Sequence, residues 1–79
     1  MLVIYFYNWK GTLKAMQEFE KEWKGKLEKV KGIKFMGMYT PTNAWNRAWL
    51  VETDSVDTLL ANSGPKNENE TNGEMIFLL

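Results

Sequence analysis

The first nine residues, Met1-Leu2-Val3-Ile4-Tyr5-Phe6-Tyr7-Asn8-Trp9, alternate in a way that leaves no polar side. With a period of two, Leu2, Ile4 and Phe6 fall on one face of a strand, and Val3, Tyr5, Tyr7 and Trp9 on the other. A sheet built on such a strand needs cover on both sides. Because 79 residues supply enough helix for one layer only, the second face is expected to meet another subunit, a ligand or both.

After Lys10-Gly11-Thr12 the period changes. Leu13, Met16, Phe19, Trp23, Leu27 and Val30 recur at spacings of three and four, which predicts an amphipathic helix from about Leu13 to Lys31, capped by Thr12 and ended by Gly32. Its other face is Glu- and Lys-rich and reads as solvated. Glu20 with Lys24, and Glu22 with Lys26, are i,i+4 pairs in the favourable order, each stabilising by about 0.2–0.5 kcal/mol. Gly25 falls on the solvent side and costs about 1 kcal/mol relative to alanine. A second strand is predicted over Ile33–Tyr39, a turn over Thr40-Pro41-Thr42-Asn43, and a third strand over Trp45–Glu52. Asp54 or Ser55 can cap a short helix whose buried stripe is Val56, Leu59 and Leu60, with Asp57 at its positive end. Residues 62–73 contain no apolar side chain and read as a mobile loop, before a last strand over Glu74–Leu79.

The order is βαββαβ, which predicts one α+β domain over residues 1–79 with a ferredoxin-like arrangement: a four-stranded antiparallel sheet with two helices on one face. With the first and third strands at the centre, Ile4, Phe6, Ala48 and Leu50 form the purely apolar set and are expected under the helices. Their alternates, Tyr5, Tyr7, Trp9, Arg47, Trp49 and Val51, are then expected on the open face. Tyr and Trp with the only Arg of the chain make an interface-like composition, which favours a homodimer contact. They also suit a pocket in which Arg47 pairs with an anionic group while Trp9, Trp45, Trp49 and Tyr39 stack on a flat apolar body. Candidate ligand-binding residues are therefore Tyr5, Tyr7, Trp9, Tyr39, Trp45, Arg47 and Trp49.

Composition narrows the chemistry. The chain has no Cys and no His, so disulfides, thiolate or imidazole metal sites, and Ser-His or Cys-His nucleophiles are excluded. No metal or cofactor is expected, and no catalytic residue stands out. Glu52, Asp54 and Asp57 form an acidic cluster whose spacing matches a helix start better than an acid-base pair. Lys34 reads as an edge-strand lysine that opposes unwanted pairing, and Met36, Met38 and Met75 read as core filling. Ten basic and ten acidic residues give a formal net charge of zero, so there is no global attraction to nucleic acid or to anionic membranes. The apolar N-terminal run has no basic flank and is too short to span a bilayer, which predicts a cytoplasmic protein without a membrane segment. An RNA-binding module of the same topology would stack bases on aromatics of strands one and three. Arg47-Ala48-Trp49-Leu50-Val51 lacks the Gly-aromatic-Gly pattern of such modules.

The aromatic first strand ending Tyr7-Asn8-Trp9, the long first helix, Met38-Tyr39-Thr40-Pro41-Thr42, and Trp49-Leu50-Val51-Glu52-Thr53-Asp54-Ser55 leading into the second helix together resemble the dimeric α/β-barrel superfamily, in particular its small uncharacterised members. The resemblance covers most of the chain outside residues 62–73. It implies two ferredoxin-like subunits packed through their open sheet faces as a barrel. Relatives include cofactor-free monooxygenases, haem-using enzymes, isomerases and ligand binders; a ligating or catalytic His has no counterpart here. The short second helix and long polar loop depart from the pattern, and predict a thinly covered helical face. The functional expectation is a homodimeric, non-catalytic small-molecule binding or interaction module, with a cofactor-free monooxygenase- or isomerase-like enzyme as the alternative.

Overall fold

The computed structural model describes residues 1–41, 44–62 and 67–78, with the backbone only at 72. The expectations for Thr42 and Asn43 in the turn, for 63–66 in the polar loop, and for Leu79 at the last strand's end lie outside the described residues.

The elements follow the expected order: β1 (Leu2–Trp9), α1 (Leu13–Glu28), β2 (Ile33–Tyr39), β3 (Arg47–Thr53), α2 (Val56–Ala61) and β4 (Glu70–Leu78). The strands form one sheet in the order β2-β3-β1-β4 with every neighbouring pair antiparallel. This is a small α+β fold compatible with a ferredoxin-like arrangement. Phe19 and Leu27 of α1 and Leu59 of α2 share one hydrophobic cluster with Val3, Tyr7, Trp9, Trp49 and Val51, so both helices cover the same side of the sheet.

Local chemistry explains the element boundaries. Thr12 caps α1 by accepting from the Ala15 N–H at 3.1 Å. The helix ends three residues earlier than the apolar spacing predicts, at Glu28, and Lys29 to Gly32 form the exit turn. Gly32 sits at φ +93°, where a side chain is strained, and a Cβ there would collide with the Asp54 carboxylate. Ser55, not Asp54, caps α2 by accepting from Thr58 N–H at 3.1 Å. Asn46 extends the β1–β3 seam beyond β3. Its Oδ1 accepts from Trp9 N–H at 2.9 Å, its Nδ2 donates to Trp9 O at 3.1 Å, and its own N–H donates to Asn8 Oδ1 at 2.9 Å.

Two expectations are corrected. β4 starts at Glu70 rather than Glu74, so 70–73 belong to the sheet and not to a loop. Trp9 pairs with Glu70 and Asn8 with Thr71 across a register shift, and Lys10 N–H donates to Asn69 O at 2.9 Å. Backbone pairing, which is indifferent to side-chain polarity, holds this edge. In β2 a second register shift lets Phe35 and Gly37 pair with the adjacent residues Val51 and Leu50. Met36 is the extra residue and is exposed rather than core filling, and beyond it the alternation inverts, so Phe35 and Met38 both join the core.

Candidate functional site

Glu20 lies on α1 between Met16 and Trp23 along the buried stripe, and only 5 % of it is exposed. Four donors converge on its carboxylate. Arg47 Nε and Nη2 reach Oε2 and Oε1, each at 2.7 Å, the Tyr7 hydroxyl donates at 2.6 Å, and Trp49 Nε1 donates at 3.2 Å. Arg47 Nη1 donates to Thr40 Oγ1 at 2.8 Å. Burial works to raise the Glu20 carboxyl, but the hydrogen bonds from Arg47, Tyr7 and Trp49 outweigh it and hold the group below its usual range. The same bond holds the Arg47 guanidinium above its ordinary value. Burial, and then the bond to Glu20, push the Tyr7 hydroxyl well above the usual tyrosine range. No buried side-chain nitrogen or oxygen among the described residues lacks a partner. The network is thus closed: it ties helix to sheet and leaves Arg47 committed internally.

Beside it lies a cavity of about 260 Å³ between the sheet and the helices. Val3, Leu27, Trp49, Leu59 and Met75 supply apolar walls, and Trp23 closes the α1 side. Its polar side chains include Tyr5, Asn62 and Glu70. The Tyr5 hydroxyl donates to Glu70 Oε2, and burial, followed by that carboxylate, raises the hydroxyl far above its ordinary value. α2 has only six residues, which matches the expected thin helical cover.

The expected face assignment is reversed. Tyr5, Tyr7, Trp9, Arg47, Trp49 and Val51 face the helices, and Ile4, Phe6, Ala48 and Leu50 lie on the other side. The physical reason is that each amphipathic ring finds a partner for its polar tip under the helices. Tyr7 and Trp49 use Glu20, Trp9 Nε1 donates to Thr12 O at 3.1 Å, and Tyr5 uses Glu70. Large rings also fill the depth that a six-residue α2 leaves open; Tyr7 and Trp49 meet edge-on at 5.6 Å between centroids. Of the candidate binding residues, Tyr5 and Trp49 line the cavity, while Tyr7 and Arg47 belong to the Glu20 network with Trp49. Trp9 packs on Phe19. Tyr39 is exposed, and Trp45, outside β3, stacks on Phe6 at the opposite face. The seven do not form one site. Glu20, Glu70 and Asn62 were not singled out by sequence; Glu20 could have been, because a carboxylate between Met16 and Trp23 interrupts the apolar stripe.

The open face is a grid set by strand register. Its central row is Gly37, Leu50, Ile4 and Ile76 from β2 to β4; one flanking row is Lys34, Glu52, Leu2 and Leu78, and the other Tyr39, Ala48, Phe6 and Glu74. Ile76, Leu78 and Tyr39 are exposed, and Leu2, Ile4, Phe6 and Leu50 are half-buried. The charged positions stand at corners and along one margin. An RNA-stacking platform would need Tyr5, Tyr7 and Trp49 here, and they face the helices instead.

Among the described residues no cluster of acidic side chains could hold a metal ion, and no helix is long and apolar enough to cross a membrane. No known family, curated protein or solved structure matches the chain.

Proposed function

We propose that this chain is a non-catalytic interaction module that works as a homodimer, with a ferredoxin-like subunit whose open sheet face packs on a second copy to make a dimeric α/β barrel. The strand order β2-β3-β1-β4 supports the subunit architecture. The observation that carries the reading is the open face itself: Leu2, Ile4, Phe6, Leu50, Ile76 and Leu78 form one continuous apolar patch, with Lys34, Glu52 and Glu74 at its margins. An apolar centre with a polar rim is the anatomy of a protein interface. Four strands spaced about 4.8 Å apart, each about seven residues long at about 3.3 Å per residue, give a face of roughly 450 Å². Two such faces, corrugated by their side chains, remove on the order of 1,000 Å² from water, near the lower bound for a specific interface. A zero net charge does not oppose this association.

Native mass spectrometry of the purified protein checks the reading. The expected species has twice the 9.2 kDa chain mass. Ile4→Lys, which puts a charge at the centre of the patch, should give a monomer with unchanged far-UV circular dichroism. A wild-type protein that remains monomeric at high micromolar concentration would overturn the proposal.

A further inference from the structure

We propose that the cavity between the sheet and the helices is a second, separate binding site, selective for a small aromatic compound that carries a protonated amine. Size sets the first limit. An apolar cavity of about 150 Å³ holds a benzene ring, so the 260 Å³ here accommodates one ring with a short side chain.

The lining sets the rest. Four aromatic rings, Tyr5, Phe19, Trp23 and Trp49, border the cavity, and their π faces and edges suit a flat apolar body. Two of its polar side chains, Tyr5 and Glu70, offer acceptors to a ligand. The Tyr5 hydroxyl spends its single proton on Glu70 Oε2 and offers a lone pair in return. Glu70 Oε1 receives no hydrogen bond among those described, and Asn62, which donates one Nδ2 proton to Thr58 O at 2.8 Å, keeps its amide oxygen and a second N–H. Glu74 also borders the cavity, but its register partner Phe6 places its side chain on the open face. Among the described residues no Lys or Arg lines the cavity. The nearby Lys26 lies over the Trp23 ring and pairs with Glu22 at 3.0 Å, and Arg47 is bound to Glu20. An anion therefore meets a carboxylate and, among the described residues, no counter-charge, whereas an ammonium meets a carboxylate among aromatic rings, which is the combination that recognises such cations. Because the cavity and the open face lie on opposite sides of the sheet, this site does not depend on the dimer.

The test compares three compounds of one shape: phenethylamine, 2-phenylethanol and 3-phenylpropionate. Each is titrated into the full chain and followed by NMR of the Met75 methyl and the indole N–H groups of Trp23, Trp49 and Trp45. The expected result is saturable shifts at Met75, Trp23 and Trp49, none at Trp45, and an affinity order of amine, alcohol, acid, with the amine at least about tenfold tighter than the acid. Glu70→Gln should bring the amine down to the level of the alcohol. Tyr5→Phe, which releases the second carboxylate oxygen, should leave the amine preference intact or raise it. Equal binding of acid and amine by the wild type, an amine preference that survives Glu70→Gln, or no saturable shift at millimolar amine would each overturn the proposal. A monomeric protein that ranks the compounds as expected would retain this site and lose the dimer, so the two readings fail separately.

Discussion

Glu20 is buried because Arg47, Tyr7 and Trp49 replace the water it loses, and each of those residues depends on it in turn. Arg47→Met leaves a carboxylate under α1 without its counter-charge, and a broken buried pair costs about 3–5 kcal/mol. Urea denaturation should register that loss, with secondary structure retained in the surviving native fraction. The pH dependence follows from the same groups. Glu20 ionises below its ordinary range when folded, so its contribution is complete above the unfolded value near 4.5 and is lost as pH falls through the lower folded value. Tyr5 and Tyr7 ionise above theirs, so their contribution is complete below the unfolded value of 10.0 and is lost as pH rises beyond it. Melting temperature should decline from about pH 10 upward, and Tyr7→Phe should make that decline shallower.

At the scale of elements, the two glycines that flank the end of α1 are not equivalent. Gly25 lies inside the helix on its exposed side, where an added Cβ would meet nothing within 4 Å, so Gly25→Ala should stabilise by about 0.5–1 kcal/mol. Gly32→Ala should instead destabilise, because φ +93° and the Asp54 carboxylate both oppose a side chain. Thermal melts of the two variants, shifting in opposite directions, check the pair. Element identity was legible in the sequence: all six elements appear in the expected order, and Thr12 caps α1 as its hydroxyl and position suggest. The illegible parts depend on partners distant in sequence. Glu70 to Gly73 became strand because β1 offered backbone groups to pair with. Met36 became a bulge because β3 set the register, so a strict alternation through Met36 assigns the wrong face to the far end of β2. Likewise the expected Glu20–Lys24 pair is displaced by Arg47, and Lys24 lies 3.9 Å from Glu28 instead, while Glu22 and Lys26 pair as expected.

For the molecule as a whole, the reversed faces change what a substitution tests. Trp49 is 6 % exposed and joins Tyr7, Phe19 and Phe35 in the core, so Trp49→Ala should cost about 3–5 kcal/mol of subunit stability. Ile4→Lys places its charge on the opposite side and should act on association. Sedimentation equilibrium and urea denaturation of both variants separate the effects: the first should lower the denaturation midpoint of the subunit, and the second should change the mass in solution. If Trp49→Ala removed the dimer without destabilising the subunit, the burial of Trp49 under α1 could not account for its role.

The sequence by itself determined the elements, their order and the apolar residues on both faces of β1, because periodicity and capping act over a few neighbouring residues. It also excluded thiolate and imidazole chemistry, since the chain has neither side chain. Only the tertiary structure decided which side the helices cover. A period of two separates Tyr5, Tyr7 and Trp9 from Leu2, Ile4 and Phe6, but it does not say which set goes inward. That choice came from long-range partners: Glu20 on α1 for Tyr7, Arg47 and Trp49, and Glu70 on β4 for Tyr5. Those contacts satisfy the polar tips of the rings in the core and leave the purely apolar set on the open face.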